Sequence, residues 1–186
     1  MKHVLFATGN SRKIIEASTT LKPFGISVEQ IDVAMDEIQH NDAAEIAKAK
    51  ARAAYAAAGK PIVVSDTTWE IPALGGFPGG YMKDINTWLQ AEDWLALMAN
   101  HADKRIFCNE HLAYYDGTTL HHVVGSYEGR FITEARGREQ SNEAIEQVII
   151  LYGDKTMAEQ LAAGDIASAS EELIHWKQFG EWAKNQ

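Results

Sequence analysis

Apolar and polar positions along this chain switch between two periods, and the switches mark out a succession of strands and helices. His3-Val4-Leu5-Phe6-Ala7 is a short, nearly continuous apolar run, suited to a strand buried on both faces, and it enters the small polar turn Thr8-Gly9-Asn10-Ser11. Beyond the turn, Ile14, Ile15, Ala17 and Leu21 fall where a helix would bury one side. Ile26 to Asp32 reads as a second strand. Asp42 with Glu45 three residues on marks a helix start, and the stretch from Ile46 to Ala58 is rich in alanine, the best helix former. Pro61-Ile62-Val63-Val64 delivers a third buried strand, which the polar run Ser65-Asp66-Thr67 is expected to end.

The second half repeats the alternation less regularly. Ala91 to Met98 has helical spacing, with Trp94, Leu95, Leu97 and Met98 apolar. Arg105 to Tyr115 reads as a strand, Asp116-Gly117 as a hairpin turn, and Thr119 to Ile132 as the return strand. Ile145, Val148, Ile149 and Tyr152 recur at i, i+3, i+4 and i+7, which predicts an amphipathic helix over Ser141 to Ile150, stopped by Gly153. Leu173, Ile174, Trp176, Phe179 and Trp182 predict a C-terminal helix whose aromatics serve a core or a dimer contact.

The totals narrow the class. A chain of 186 residues is long enough for one well-buried domain, with room for two lobes, and too short for two full domains. Its longest apolar runs are a few residues, so no membrane span is expected, and the N-terminus lacks the pattern of a signal peptide. The cytoplasm is the expected location. One cysteine, Cys108, rules out an internal disulfide and a multi-cysteine metal site. A net charge of −9 argues against a nucleic-acid backbone as partner, but a few lysines and amides still suffice for a small anion.

Two stretches carry candidate chemistry. The first is strand, small-residue turn and helix N-terminus around Thr8, Gly9 and Asn10. Free amides and the helix dipole there favour an anion, and Lys13 in the first helical turn makes most sense if one is bound. The second is Ile62 to Lys83, where Asp66 follows the apolar strand and Leu74-Gly75-Gly76-Phe77-Pro78-Gly79-Gly80 forms a side-chain-poor loop. Lys83 follows that loop and could bring a cation toward the group Asp66 faces. On the alanine-rich helix, Lys50 is a candidate for reaching into a site. His121-His122 does not read as a metal pair, because adjacent strand residues point to opposite faces.

Taken in order, ATGNSRK with Glu16, DEIQ, Lys50-Ala51-Arg52, SDTTWE and ALGGFPGGYMK resemble the inosine/xanthosine triphosphate pyrophosphatase family (Ham1-like) over roughly residues 1–90. The resemblance implies an α/β fold of two lobes with a long mixed β-sheet flanked by helices, a substrate cleft between the lobes, and a homodimer. It also implies Mg²⁺-dependent cleavage of a nucleoside triphosphate to monophosphate and pyrophosphate. By position, Thr8, Gly9, Asn10 and Lys13 match the phosphate loop, and Lys50 and Lys83 match substrate lysines. Glu37 matches a magnesium-binding carboxylate, and Asp66 matches the acid credited with activating water or holding the metal. Hard Mg²⁺ and phosphoryl transfer fit such a set of carboxylates and cations.

The chain departs from the family pattern at several places. Ser65 stands where the first of two adjacent acids is usual. The stretch from Ser141 to Ile150 replaces an aromatic–Gly–aromatic–Asp–Pro run that holds the purine. Lys155-Thr156-Met157-Ala158-Glu159 restores the register, yet Ala169-Ser170-Glu171 stands where Ser-His-Arg is expected, and Asp165 near an expected lysine. The phosphate-and-metal half is kept while the purine-reading half is replaced. That pattern predicts a pyrophosphatase with altered base choice; a non-catalytic nucleotide-binding relative and a hydrolase of another phosphorylated metabolite are the alternatives.

Overall fold

A computed structural model describes residues 1–36, 38–138, 143–164 and 173–186. It is an α/β protein whose strands form a mixed sheet in the order β2-β1-β3-β5-β6-β7, with β4 also pairing with β3. The strands are β1 His3–Ala7, β2 Ser27–Ile31, β3 Ile62–Glu70, β4 Pro78–Gly79, β5 Arg105–Tyr115, β6 Leu120–Phe131 and β7 Ile149–Ile150. The helices are α1 Ser11–Leu21, α2 Ala43–Ala58, α3 Met82–Ile85, α4 Ala91–Met98, α5 Met157–Ala162 and α6 Ile174–Ala183. The chain divides into two compact units, one of Met1–Thr67, Glu110–Gly125 and Glu172–Gln186, the other of Thr68–Asn109 and Ser126–Glu171.

In the first unit β1 runs parallel to β2, from His3 opposite Ser27 to Ala7 opposite Ile31, and parallel to β3, with Leu5 opposite Ile62. Alternation along β3 then assigns its side chains to two cores. Val63 packs with Ala17 and Leu21 of α1 and with Trp176 and Phe179 of α6. Ile62 and Val64 pack with Ala47, Ala51 and Ala54 of α2, whose small side chains let the helix lie close to the strands. Asp42 caps α2, its carboxylate accepting from the Ala44 amide at 2.8 Å. Ile15, expected on the buried side of α1, is 53% exposed; Ala17, Thr20 and Leu21 make the buried stripe instead.

In the second unit Trp69, Met82, Trp94, Met98, Ile106, Tyr127, Phe131, Ile145 and Ile149 share one core. α4 and β5 have the bounds that the periodicity predicts. α5 is capped by Thr156, which forms a reciprocal cap with Glu159.

Two expectations are corrected. β3 does not end at Asp66 but continues to Glu70, because Thr67, Thr68 and Trp69 are good strand formers and the polar side chains at its middle find partners. The predicted helix over Ser141 to Ile150 is a 3₁₀ turn over Ala144–Gln147 followed by β7; Ser141 and Asn142 lie outside the described residues. Ile145, Val148 and Ile149 are all fully buried, so their spacing recorded burial rather than helix. The β-branched pair Ile149-Ile150 instead extends the sheet, opposite Phe131 and Arg130.

Candidate active site

Strand β3 places consecutive polar residues on alternate sides, and each side meets a lysine from a different helix. Asp66 continues the row of Ile62 and Val64, and Lys50 of α2 puts its Nζ 3.7 Å from Asp66 Oδ1. Both side chains are mostly buried, at 15% and 21% exposure, so the attraction is screened less than between surface charges. Thr67 continues the row of Val63. Lys13 of α1 donates to the Thr67 hydroxyl at 2.8 Å and to Glu110 Oε2 at 3.3 Å, while Thr67 donates to Glu110 Oε1 at 2.9 Å.

Lys13, Thr67 and Glu110 therefore close a three-membered ring of hydrogen bonds. A lysine in the first turn of α1 opposes the helix dipole, and the anion that compensates it here is the protein's own Glu110. Burial pushes the Glu110 carboxyl up, but Lys13, His175 and the Thr67 hydrogen bond outweigh it and hold its pKa below the ordinary value. Glu16 has the opposite balance. Its burial, aided by the Glu110 charge, raises its pKa against the pull of Arg12 and Lys13. His175 on α6, 2% exposed, is lowered to about 4 by burial; the Glu110 charge pulls the other way, and Lys13 and His111 add to the lowering.

The turn before α1 is organised by its own side chains. The Thr8 hydroxyl accepts from the Asn10 amide at 3.1 Å, and Asn10 caps the helix by accepting from the Arg12 amide at 2.9 Å. Gln30 of β2 donates to the Thr8 carbonyl at 2.7 Å. Gly9 has open space where a Cβ would stand, leaving room for a ligand close to the backbone. Lys83 is exposed on α3 and belongs to the second unit. Glu37 lies outside the described residues, as do Asp165 and Ala169-Ser170-Glu171.

Of the predicted site residues, the structure thus brings Lys50 to Asp66 and sets Lys13 on the other side of β3. Sequence reasoning missed Glu110, Thr67 as a site residue, and His175. A signal existed for the first: Asn109-Glu110-His111 is a polar triplet in the middle of an otherwise largely apolar strand. Among the described residues, no group of three or more His, Cys, Asp or Glu side chains is assembled for a metal, and no helix is long and apolar enough to cross a membrane.

These features define an α/β protein in which one strand offers a carboxylate and a hydroxyl to lysines from two helices. The sequence pattern of the Ham1 family matches residues 4–163, and the chain belongs to that family. A dITP/XTP pyrophosphatase of Methanopyrus kandleri is 31% identical over 98% of this chain and 96% of its own length. An inosine triphosphate pyrophosphatase of Aspergillus oryzae is 28% identical over 96% of this chain and 92% of its own. The fold is shared with a HAM1 protein from Coxiella burnetii, with a TM-score of 0.79, 19% identity and full coverage of both chains.

Proposed function

We propose that this chain is a Mg²⁺-dependent nucleoside-triphosphate pyrophosphohydrolase, cleaving a nucleoside triphosphate to monophosphate and pyrophosphate. Its near full-length similarity to dITP/XTP pyrophosphatases supports the reaction class. The observation that carries the reading is the Asp66–Lys50 pair, a proton acceptor and a cation held together at mid-strand. In the reaction, water attacks the α-phosphorus, the bond from that phosphorus to the α–β bridging oxygen breaks, and pyrophosphate leaves. Asp66 takes the proton of the attacking water. Lys50 offsets charge on the phosphate oxygens, in a reaction that depends on positioning and electrostatics.

Asp66 offers hard carboxylate oxygens and is still partly open, which suits an ion arriving on its triphosphate; such Mg²⁺ requires only one or two protein carboxylates. Glu37 is the second carboxylate we assign to it. When bound, Mg²⁺ would neutralise phosphate charge. Thr8, Gly9, Asn10, Lys13 and Lys83 are assigned to the phosphates.

We also propose that base choice differs from that of enzymes for inosine or xanthosine triphosphate, because the stretches at Ser141 to Ile150 and Ala169-Ser170-Glu171 lack the family's purine-reading residues. A site that hydrogen-bonds a base rejects analogues strongly, and losing those partners removes the rejection. The test is Mg²⁺-dependent pyrophosphate release over common and deaminated nucleoside triphosphates. Comparable kcat/KM for inosine and adenosine triphosphates supports the reading. A preference of about a hundredfold or more for the deaminated base refutes the altered choice. A second reading, a non-catalytic nucleotide-binding relative, is favoured by the engagement of Lys13 with Glu110. Binding of nucleotide without any pyrophosphate release would select it.

A further inference from the structure

The ring of Lys13, Thr67 and Glu110 turns on a hydroxyl that works in both directions. Thr67 Oγ1 accepts from Lys13 at 2.8 Å and donates to Glu110 Oε1 at 2.9 Å, while Glu110 Oε2 takes a second hydrogen of the same ammonium at 3.3 Å. Lys13 and Glu110 are largely buried, at 16% and 17% exposure, so each charge depends on the other more than on water. Lys13 also lies in the first turn of α1, next to the Thr8–Asn10 turn assigned to the phosphates. We propose that Glu110 is a positioning residue for phosphate binding: ionised, it holds Lys13 to itself and Thr67; on taking up a proton, it releases Lys13 to the ligand. The proposal rests on the assignment of Lys13 to the phosphates.

An oligophosphate that takes Lys13 removes the cation from Glu110 and sets further negative charge beside it, and both changes favour the neutral acid. In the free protein, burial pushes the Glu110 carboxyl up, and Lys13 is the leading influence that holds it down, ahead of His175 and Thr67. Without that leading influence, burial prevails. The ring absorbs the change without orphaning an atom. Protonated Glu110 donates to the Thr67 Oγ1 lone pair that Lys13 has vacated, and the Thr67 hydrogen turns to another acceptor. One proton passes from solvent to one carboxylate oxygen, and Lys13 stays charged throughout.

The other groups around Glu110 are poorer receivers of that proton. Arg12 on α1 is always charged, and Glu16 keeps Arg12 at 3.6 Å when Lys13 turns away. His175 on α6 is 2% exposed; protonating it beside an ionised Glu110 leaves two buried charges, whereas protonating Glu110 leaves none. On β6, His121 is stacked on Trp182 at 3.9 Å, where burial opposes its charging. His111, the neighbour of Glu110 on β5, points to the other side of the sheet, where its ring nitrogen lies 3.1 Å from that of His122.

The experiment is calorimetric titration of magnesium pyrophosphate into the full chain and into Glu110→Gln, in buffers of different ionisation enthalpy between pH 6 and 8. An infrared difference spectrum of bound against free wild type accompanies it. The ligand's own protons cancel between the two proteins. Near pH 6.5 the wild type should take up about one proton more than the variant, and its affinity should weaken with rising pH more steeply, by as much as about tenfold per pH unit. The infrared spectrum should lose carboxylate and gain protonated carboxyl. A Glu110 that merely held the fold would change the affinity and leave its slope with pH alone. Equal proton uptake in both proteins, a carboxylate signal unchanged on binding, or failure of magnesium pyrophosphate to bind would each overturn the proposal. Should Glu110→Gln not fold, the wild-type infrared spectrum decides. Binding with the expected uptake, but no pyrophosphate release from any nucleoside triphosphate, would support the role of Glu110 and overturn the pyrophosphohydrolase reading alone.

Discussion

Lys13 Nζ lies 3.3 Å from Glu110 Oε2 although the two residues are 97 positions apart in sequence. The lysine that leads the first turn of α1 is therefore already neutralised before any ligand arrives. A phosphate binding there must compete with a carboxylate for the same ammonium group. Glu110→Gln keeps the shape and a hydrogen-bonding partner for Thr67 but removes the competing charge. The expected outcome is tighter binding of magnesium pyrophosphate, by about tenfold, the worth of one charge-assisted hydrogen bond. Calorimetric titration of wild type and variant checks it; equal or weaker affinity means Lys13 serves the fold and not the ligand.

Asp66→Asn should lower pyrophosphate release by about 10²–10⁴-fold, the usual contribution of a positioned proton acceptor. The amide matches the carboxylate in shape, so the fold should persist, with circular dichroism unchanged. Lys50 then loses its ion partner at 3.7 Å, and that loss should appear as a small drop in melting temperature. Retained turnover in Asp66→Asn would place the proton transfer elsewhere.

Ser65 is where the family usually has an acid, and the sequence alone makes Ser65→Glu look like a way to strengthen the metal site. The structure turns that expectation around. Ser65 is buried, at 8% exposure, and alternation puts it in the row of Val63 and Thr67, on the side of Glu110 and opposite to Asp66. A glutamate there would add a buried charge on the side of β3 where Thr67 meets the Glu110 carboxylate, with Lys13 already engaged. We expect a loss of stability of about 1–3 kcal/mol and no gain in Mg²⁺ affinity, read by denaturant unfolding and metal titration.

Local patterns made much of the fold legible. The cap at Asp42, the helix over Ala91–Met98 and the strand over Arg105–Tyr115 follow from propensity and period over short windows. Where a segment's partner decides its state, the window is too short. Ile149-Ile150 becomes a strand because Phe131 and Arg130 lie opposite, and nothing near Ile149 announces that. The middle of β3 looked like a strand end because its polar residues have partners on α1, α2 and β5. The same reason hid Glu110 and the His111–His122 pair, both assembled from distant positions. The approach of Lys50 to Asp66 was suggested by family resemblance, since the 15 positions between them span a helix end, a turn and half a strand.

The buried histidines give the stability of this protein a defined dependence on acid. His111 and His175 are both lowered to about 4 in the folded chain from an ordinary value of 6.5, chiefly by burial. Between those values the unfolded chain binds more protons than the folded one, so their contribution is fully present above pH 6.5 and is lost as pH falls toward 4. Glu110, depressed by Lys13, His175 and Thr67, acts with the same sign at lower pH, its contribution lost as pH falls through its folded value. Glu16, raised by burial, has the opposite sign, its contribution lost as pH rises from 4.5 through its folded value, which partly offsets the histidines. Unfolding free energy should therefore fall from pH 7 to pH 4.5, and His175→Gln should flatten that slope if the glutamine is accommodated in the space of the ring. Denaturant midpoints measured across pH 4.5–7.5 check this, and a slope unchanged by the substitution would show that His175 titrates normally in the folded chain.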